Sequence, residues 1–212
     1  MPKKNKIISS LLCALLWLAV PQPGVAGIAL FGSQELESRK LEPFVKWTGM
    51  LKKDPQHRDI MRRSCKTAGH CLYDEWARIA STVKAMPFEA MLKQVNHDIN
   101  ASQYVTDMVN WGQEDYWETP YEFFVKDGDC EDYAIAKYMT LKLAGVSPAT
   151  MRVVVLQDRN LNLLHSVLVV HNSGRNYILD NQIGQVVLDS SIHHYTPIYS
   201  INEQAWWRHV VN

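Results

Sequence analysis

Cys130, His165 and Asp180 are the residues of this sequence whose types and settings suit covalent catalysis by a thiol. Cys130 follows the turn residues Asp127-Gly128 and the helix-capping residue Asp129. It opens an apolar run of Tyr133, Ala134, Ile135, Tyr138, Leu141 and Leu143 that Gly145 ends. That pattern predicts a mostly buried helix beginning at the cysteine. A thiol there lies in the positive end of the aligned peptide dipoles, which favours thiolate. A lone cysteine more often fills space in a core, but the charged neighbours Asp129, Glu131 and Asp132 argue against a deeply buried helix start.

A cysteine nucleophile needs a base or ion-pair partner, and the base needs an orienting group. Of the eight histidines, His165 and His171 share one face of an alternating apolar segment, His-Ser-Val-Leu-Val-Val-His. They stand roughly 20 Å apart at about 3.3 Å per residue, so only one can serve the thiol. His165 is preferred because it opens the strand, where a side chain is supported by the sheet yet faces a cleft. Asp180 ends the next segment, Asn-Tyr-Ile-Leu-Asp. A hairpin turning near Ser173-Gly174 brings that end beside His165, where an acid would fix the tautomer and stabilise imidazolium. Asn181 and Gln182 are alternatives for the third role.

The elements that must hold these residues follow from periodicity. Helices are expected over 41–53, over 72–83, and from Pro87 through Met91, Leu92, Val95 and Ile99. Residues 104–124 are dense in aromatics and acids, and Gly112 and Pro120 predict a short helical start followed by a packed loop. After Gly145 the pattern turns to strands at 151–157, 165–171, 176–180, 186–188 and 195–201. An antiparallel sheet packed on the Cys130 helix makes this an α+β domain.

With 212 residues, 47% hydrophobic composition, zero formal charge and no basic cluster beyond the N-terminus, one ordinary domain is expected and a nucleic-acid partner is disfavoured. Residues 1–26 read as a secretory signal, with Lys3, Lys4 and Lys6 before an apolar run of about 14 residues that is short for a bilayer span. The mature domain is then 27–212, helical to about 145 and sheet from about 151. Cys13 leaves with the signal. Cys65 and Cys71, with five residues between them, favour a disulfide over a metal site in an oxidising compartment, which leaves Cys130 as the odd thiol.

Asp-Gly-Asp-Cys-Glu-Asp-Tyr-Ala at 127–134, Val-Asn-Trp-Gly at 109–112, Leu-His-Ser-Val-Leu at 164–168 and Leu-Asp-Asn-Gln at 179–182, in this order, resemble the bacterial transglutaminase-like cysteine proteinases of the LapG type. The resemblance implies a papain-like or transglutaminase-like fold with Cys130, His165 and Asp180 as triad. It also implies a periplasmic, calcium-dependent endopeptidase that cuts the N-terminal region of a large surface adhesin at a di-alanine site and so releases biofilm cells. An inner-membrane cyclic di-GMP receptor would sequester it, and Asp129 and Glu131 would be calcium ligands. A physical argument points the same way: carboxylates at Asp129, Glu131 and Asp132 oppose thiolate at Cys130, and a hard cation would offset their field. Read from spacing alone, the same acids complement a helix N-terminus. An acyl transferase acting on amines and a non-catalytic binding module are the competing functional readings.

Overall fold

The computed structural model describes residues 29–64 and 71–211, so the expected signal segment and Cys65 lie outside the described residues. Seven strands form one antiparallel sheet: β1 (Gln34–Ser38), β2 (Met151–Asp158), β3 (Leu163–Asn172), β4 (Arg175–Leu179), β5 (Val187–Leu188), β6 (Tyr195–Ile201) and β7 (Trp206–Val210), in the order β1-β7-β6-β2-β3-β4-β5. The six α-helices are α1 (Val45–Ser64), α2 (Leu72–Lys84), α3 (Phe88–Ile99), α4 (Asp107–Trp111), α5 (Pro120–Lys126) and α6 (Cys130–Ala144). No described helix is long and apolar enough to cross a membrane.

Both sheet faces are covered. Met151, Val153, Leu168, Val170 and Leu179 join the helical core around α6, while Val154, Leu156, Val167, Val169 and Ile178 pack with Leu30, Ile192 and Tyr195 on the opposite face. Helix α6 is buried nearly all round, from Glu131 to Leu141. The β3–β4 hairpin turns at Ser173 and Gly174, both at positive φ (51° and 75°), the backbone that two-residue turns between twisted strands require.

The division into an N-terminal helical part and a C-terminal sheet needs correction. Gln34–Ser38 is an edge strand paired with β7 from Gln34↔Val210 to Ser38↔Trp206. Its only apolar residue, Leu36, is 54% exposed, so no alternation marks it. It is held instead by the buried Glu35–Arg152 pair (2.9 Å), whose guanidinium lies 3.5 Å from the Trp207 ring centroid. Helix α1 also runs past the expected end at 53 and through Pro55, because Met61 is buried in the core and Arg58 lies over Trp76. Pro120 starts α5 rather than ending a helix: it occupies the first turn, and Thr119 and Glu122 form a reciprocal capping box.

Candidate active site

The turn before Cys130 is fixed by contacts no other sequence would readily reproduce. Asp127 adopts φ 59°, ψ −175°, backbone that L residues other than glycine rarely take. Its carbonyl accepts from Asn110 Nδ2 at 3.0 Å and its carboxylate from the Gln103 N–H at 3.2 Å. At Gly128 a Cβ would lie 2.6 Å from Asp132 Oδ2, so that position must be glycine; the Gly128 carbonyl takes the Val105 N–H at 2.9 Å. Asp132, three residues into the helix, accepts the Asp129 N–H at 3.1 Å. Cys130 thus begins α6 as expected, half-buried and, among the described residues, the free cysteine. Cys71 is disulfide-bonded.

Strand β3 supplies the histidine. It runs beyond the end of β4, whose pairing begins at Leu168↔Leu179, so His165 and Ser166 have no strand partner on that side. Cys130, His165 and Ser166 line a cleft of about 280 Å³ with Tyr104, Trp117 and Tyr199. His165 Nε2 lies 2.9 Å from Asp180 Oδ1, with both side chains buried. Asp180 Oδ1 also accepts the Gln182 N–H at 2.8 Å, and Oδ2 accepts the Tyr195 hydroxyl at 2.7 Å. Burial alone would raise the Asp180 carboxyl, but the hydrogen bond and charge of His165, with Tyr195 and Gln182, hold it below its ordinary 3.8. A carboxylate there makes Nε2 the protonated nitrogen and Nδ1 the acceptor; Nδ1 takes an amide N–H of Gln182 at 3.3 Å. Gln182 therefore supports the His165–Asp180 pair and does not replace Asp180.

The helix start is half open: Asp129 and Cys130 are half-buried, while the next two acids are buried. Glu131 is 9% exposed and Asp132 1%. They join Asp107 and Glu118, also buried, and oxygens of Asp107, Glu118 and Asp132 lie within 4.8 Å of one another; so do ligand atoms of Asp107, Asp115 and Glu131, and of Asp129, Cys130 and Glu131. Burial and mutual repulsion push Asp107 up to about 6, Glu118 to about 8 and Glu131 to about 9. Burial, then Glu131 and Asp129, push the Cys130 thiol well above its ordinary range, and Sγ donates to Glu131 Oε2 at 3.2 Å. Three buried oxygens, Asp107 Oδ1, Glu118 Oε2 and Asp129 Oδ1, have no hydrogen-bond donor. Glu118 belongs to the 114–118 loop, from which the sequence leads one to expect an acid to help complete a calcium shell; Asp107 carries no motif, and only its convergence in space marks it. Trp111, near in sequence, gives its indole N–H to Glu118 Oε1 at 2.6 Å and so is committed away from the cleft.

Residues 61–212 match the family model of the bacterial transglutaminase-like cysteine proteinases. No curated protein matches the chain. Among solved structures it is similar to calcium-bound Legionella pneumophila LapG, at 32% identity and a TM-score of 0.59, over 64% of this chain and 77% of that one. The EGTA-treated form of the same protein gives 32% identity and a TM-score of 0.60, over 66% and 76%.

Proposed function

The chain belongs to the bacterial transglutaminase-like cysteine proteinases, and we propose that it is a calcium-dependent periplasmic endopeptidase whose catalytic residues are Cys130, His165 and Asp180. The observation that carries this reading is the buried 2.9 Å contact of His165 with Asp180 on the wall of the cleft that holds Cys130. With Cys130 on that cleft, the site holds a nucleophile, a base whose Nδ1 is unprotonated and an orienting carboxylate, the set that acyl chemistry at a thiol requires.

In the proposed reaction the Cys130 proton passes to His165 Nδ1, and the imidazolium is stabilised by Asp180 through Nε2–H. The sulfur attacks the peptide carbonyl, and the oxyanion is held by the Cys130 backbone N–H and the Tyr104 hydroxyl, which lines the same cleft. The imidazolium then protonates the leaving amine. Nδ1 next takes a proton from water, whose oxygen attacks the thioester, and the acid leaves as the thiol re-forms.

Calcium fits the acidic cluster on its chemistry: the donors are oxygens, several are buried, and three are unpaired. Asp129 and Glu131, joined by Asp107, Glu118 and Asp132, would hold it. Its positive charge would offset the carboxylate field that opposes the thiolate. The substrate we assign is the N-terminal region of a large surface adhesin, cut at a di-alanine site to release biofilm cells, with an inner-membrane cyclic di-GMP receptor as the sequestering partner. Export through residues 1–26 and the substrate and receptor assignments rest on the sequence signal and on family membership.

The test incubates the purified mature chain with an adhesin N-terminal fragment, with calcium and with a chelator. New peptide termini are expected with calcium only. Cys130→Ala should abolish them with an unchanged circular dichroism spectrum; cleavage retained by that variant would overturn the assignment.

A further inference from the structure

A second hollow adjoins the cleft that holds Cys130. It has a volume of about 200 Å³, shares Asp115, Trp117 and Tyr199 with the cleft and is closed on the far side by Phe44, Val45 and Trp47 from the start of α1. Its floor is rigid and aromatic: Trp47 is fully buried and meets Trp117 edge-on at 6.2 Å, and Phe44 packs on Tyr199 at 5.2 Å and on Trp206 at 5.0 Å. Its rim is Val45, 70% exposed, and the ion pair of Lys46 with Asp115 that ties α1 to the loop before α5. Clefts for drug-sized ligands run roughly 300–1,000 Å³, so this hollow suits one side chain.

We propose, resting on the protease reading, that the hollow walled by Phe44, Val45, Trp47, Trp117 and Tyr199 is a subsite that receives one large apolar side chain of the peptide substrate. Three considerations select that occupant. The hollow shares the wall of Asp115, Trp117 and Tyr199 with the cleft that holds Cys130, so a peptide lying across the sulfur runs beside it, close to the cut. An extended chain sends alternate side chains to opposite sides, so a single pocket reads a single position. The rim charges pair with each other, leaving the aromatic floor to select for apolar area rather than for charge.

The test digests a pool of proteome-derived peptides with the calcium-loaded enzyme and sequences the new termini. Large apolar residues should be enriched at one fixed position close to the cut. Synthetic peptides of the best sequence, with that residue changed to alanine, should lose on the order of ten-fold in kcat/KM. In Val45→Glu, whose side chain lies at the rim, that ten-fold difference should fall to below about two-fold while alkylation of Cys130 by iodoacetamide proceeds at the wild-type rate. Phe44→Ala, made separately, should do the same. Cleavage with no apolar preference at any position, or a preference that persists in both variants, overturns the subsite and leaves the protease standing. No cleavage of any peptide removes the protease reading, and the subsite falls with it.

Discussion

Replacing Lys137 by methionine removes a buried amine from the core of this protein. The side chain lies two helical turns from Cys130 on α6, is fully buried, and has an Nζ with no hydrogen-bond partner. Its nearest compensations are the charge of Asp180 and the Tyr133 ring at 5.8 Å. Burial, only partly opposed by Asp180, lowers its pKa from 10.5 to about 7. The folded state thus releases the proton near pH 7 and the unfolded chain near 10.5. Between those values the unfolded chain binds more protons, so this group makes stability rise with pH. At about 1.4 kcal/mol per pH decade, holding Lys137 in the core costs about 5 kcal/mol below pH 6 and about 2 kcal/mol at pH 9. Lys137→Met, which keeps the volume and removes the charge, should therefore be more stable than wild type, with an advantage that narrows by about 3 kcal/mol between pH 6 and pH 9. Urea unfolding of both proteins at fixed calcium, across that range, measures the gap directly. A gap that stays constant would mean that the folded lysine keeps an ordinary pKa, and the argument from burial would be wrong.

Tyr104→Phe should lower kcat by about 10²–10³ with little change in KM if the hydroxyl holds the oxyanion; an unchanged kcat would leave the Cys130 N–H without that partner. Gly128→Ala should destabilise the fold by about 1–3 kcal/mol or more, since the new methyl must displace Asp132 from the helix start; thermal unfolding measures it, and wild-type stability would contradict the 2.6 Å approach. Calcium at about 100-fold above its Kd should raise stability by about 3 kcal/mol, reversed by chelator. The double variant Asp107→Asn, Glu118→Gln should lose most of that gain; a full response in the variant would exclude these two acids from the site.

The sequence made the site legible wherever function coincides with local structure. Asp127-Gly128-Asp129 announces a turn and cap, and Ser173-Gly174 a tight hairpin, and those two signals carry Cys130 and the His165–Asp180 pair. What stayed hidden is what only tertiary contact creates. Gln34–Ser38 has no strand pattern because its stability comes from pairing with β7 and from Arg152. Pro120 reads as a breaker until Thr119 and Glu122 cap the helix it starts. Asp107 and Glu118 are eleven residues apart and look like surface acids, yet both are buried against Asp132. Lys137 looks like a solvent-facing helix position, yet α6 is buried nearly all round and offers it no polar face.

The same turn that builds the nucleophile also restrains it. Asp132 must sit against Gly128 to seat the helix start, and Asp129 and Glu131 flank the sulfur by sequence, so the residues that position Cys130 are the ones whose charges oppose its ionisation. The helix dipole, equivalent to about half a positive charge, is outweighed by several buried carboxyl groups at comparable range, and the thiol instead donates to Glu131. Positioning and activation are therefore separable in this site: the first is built into the backbone around Gly128, and the second depends on what neutralises the acids. The three residues of the proposed triad can thus be in place while the Cys130 thiol stays protonated until the charge of the cluster is met.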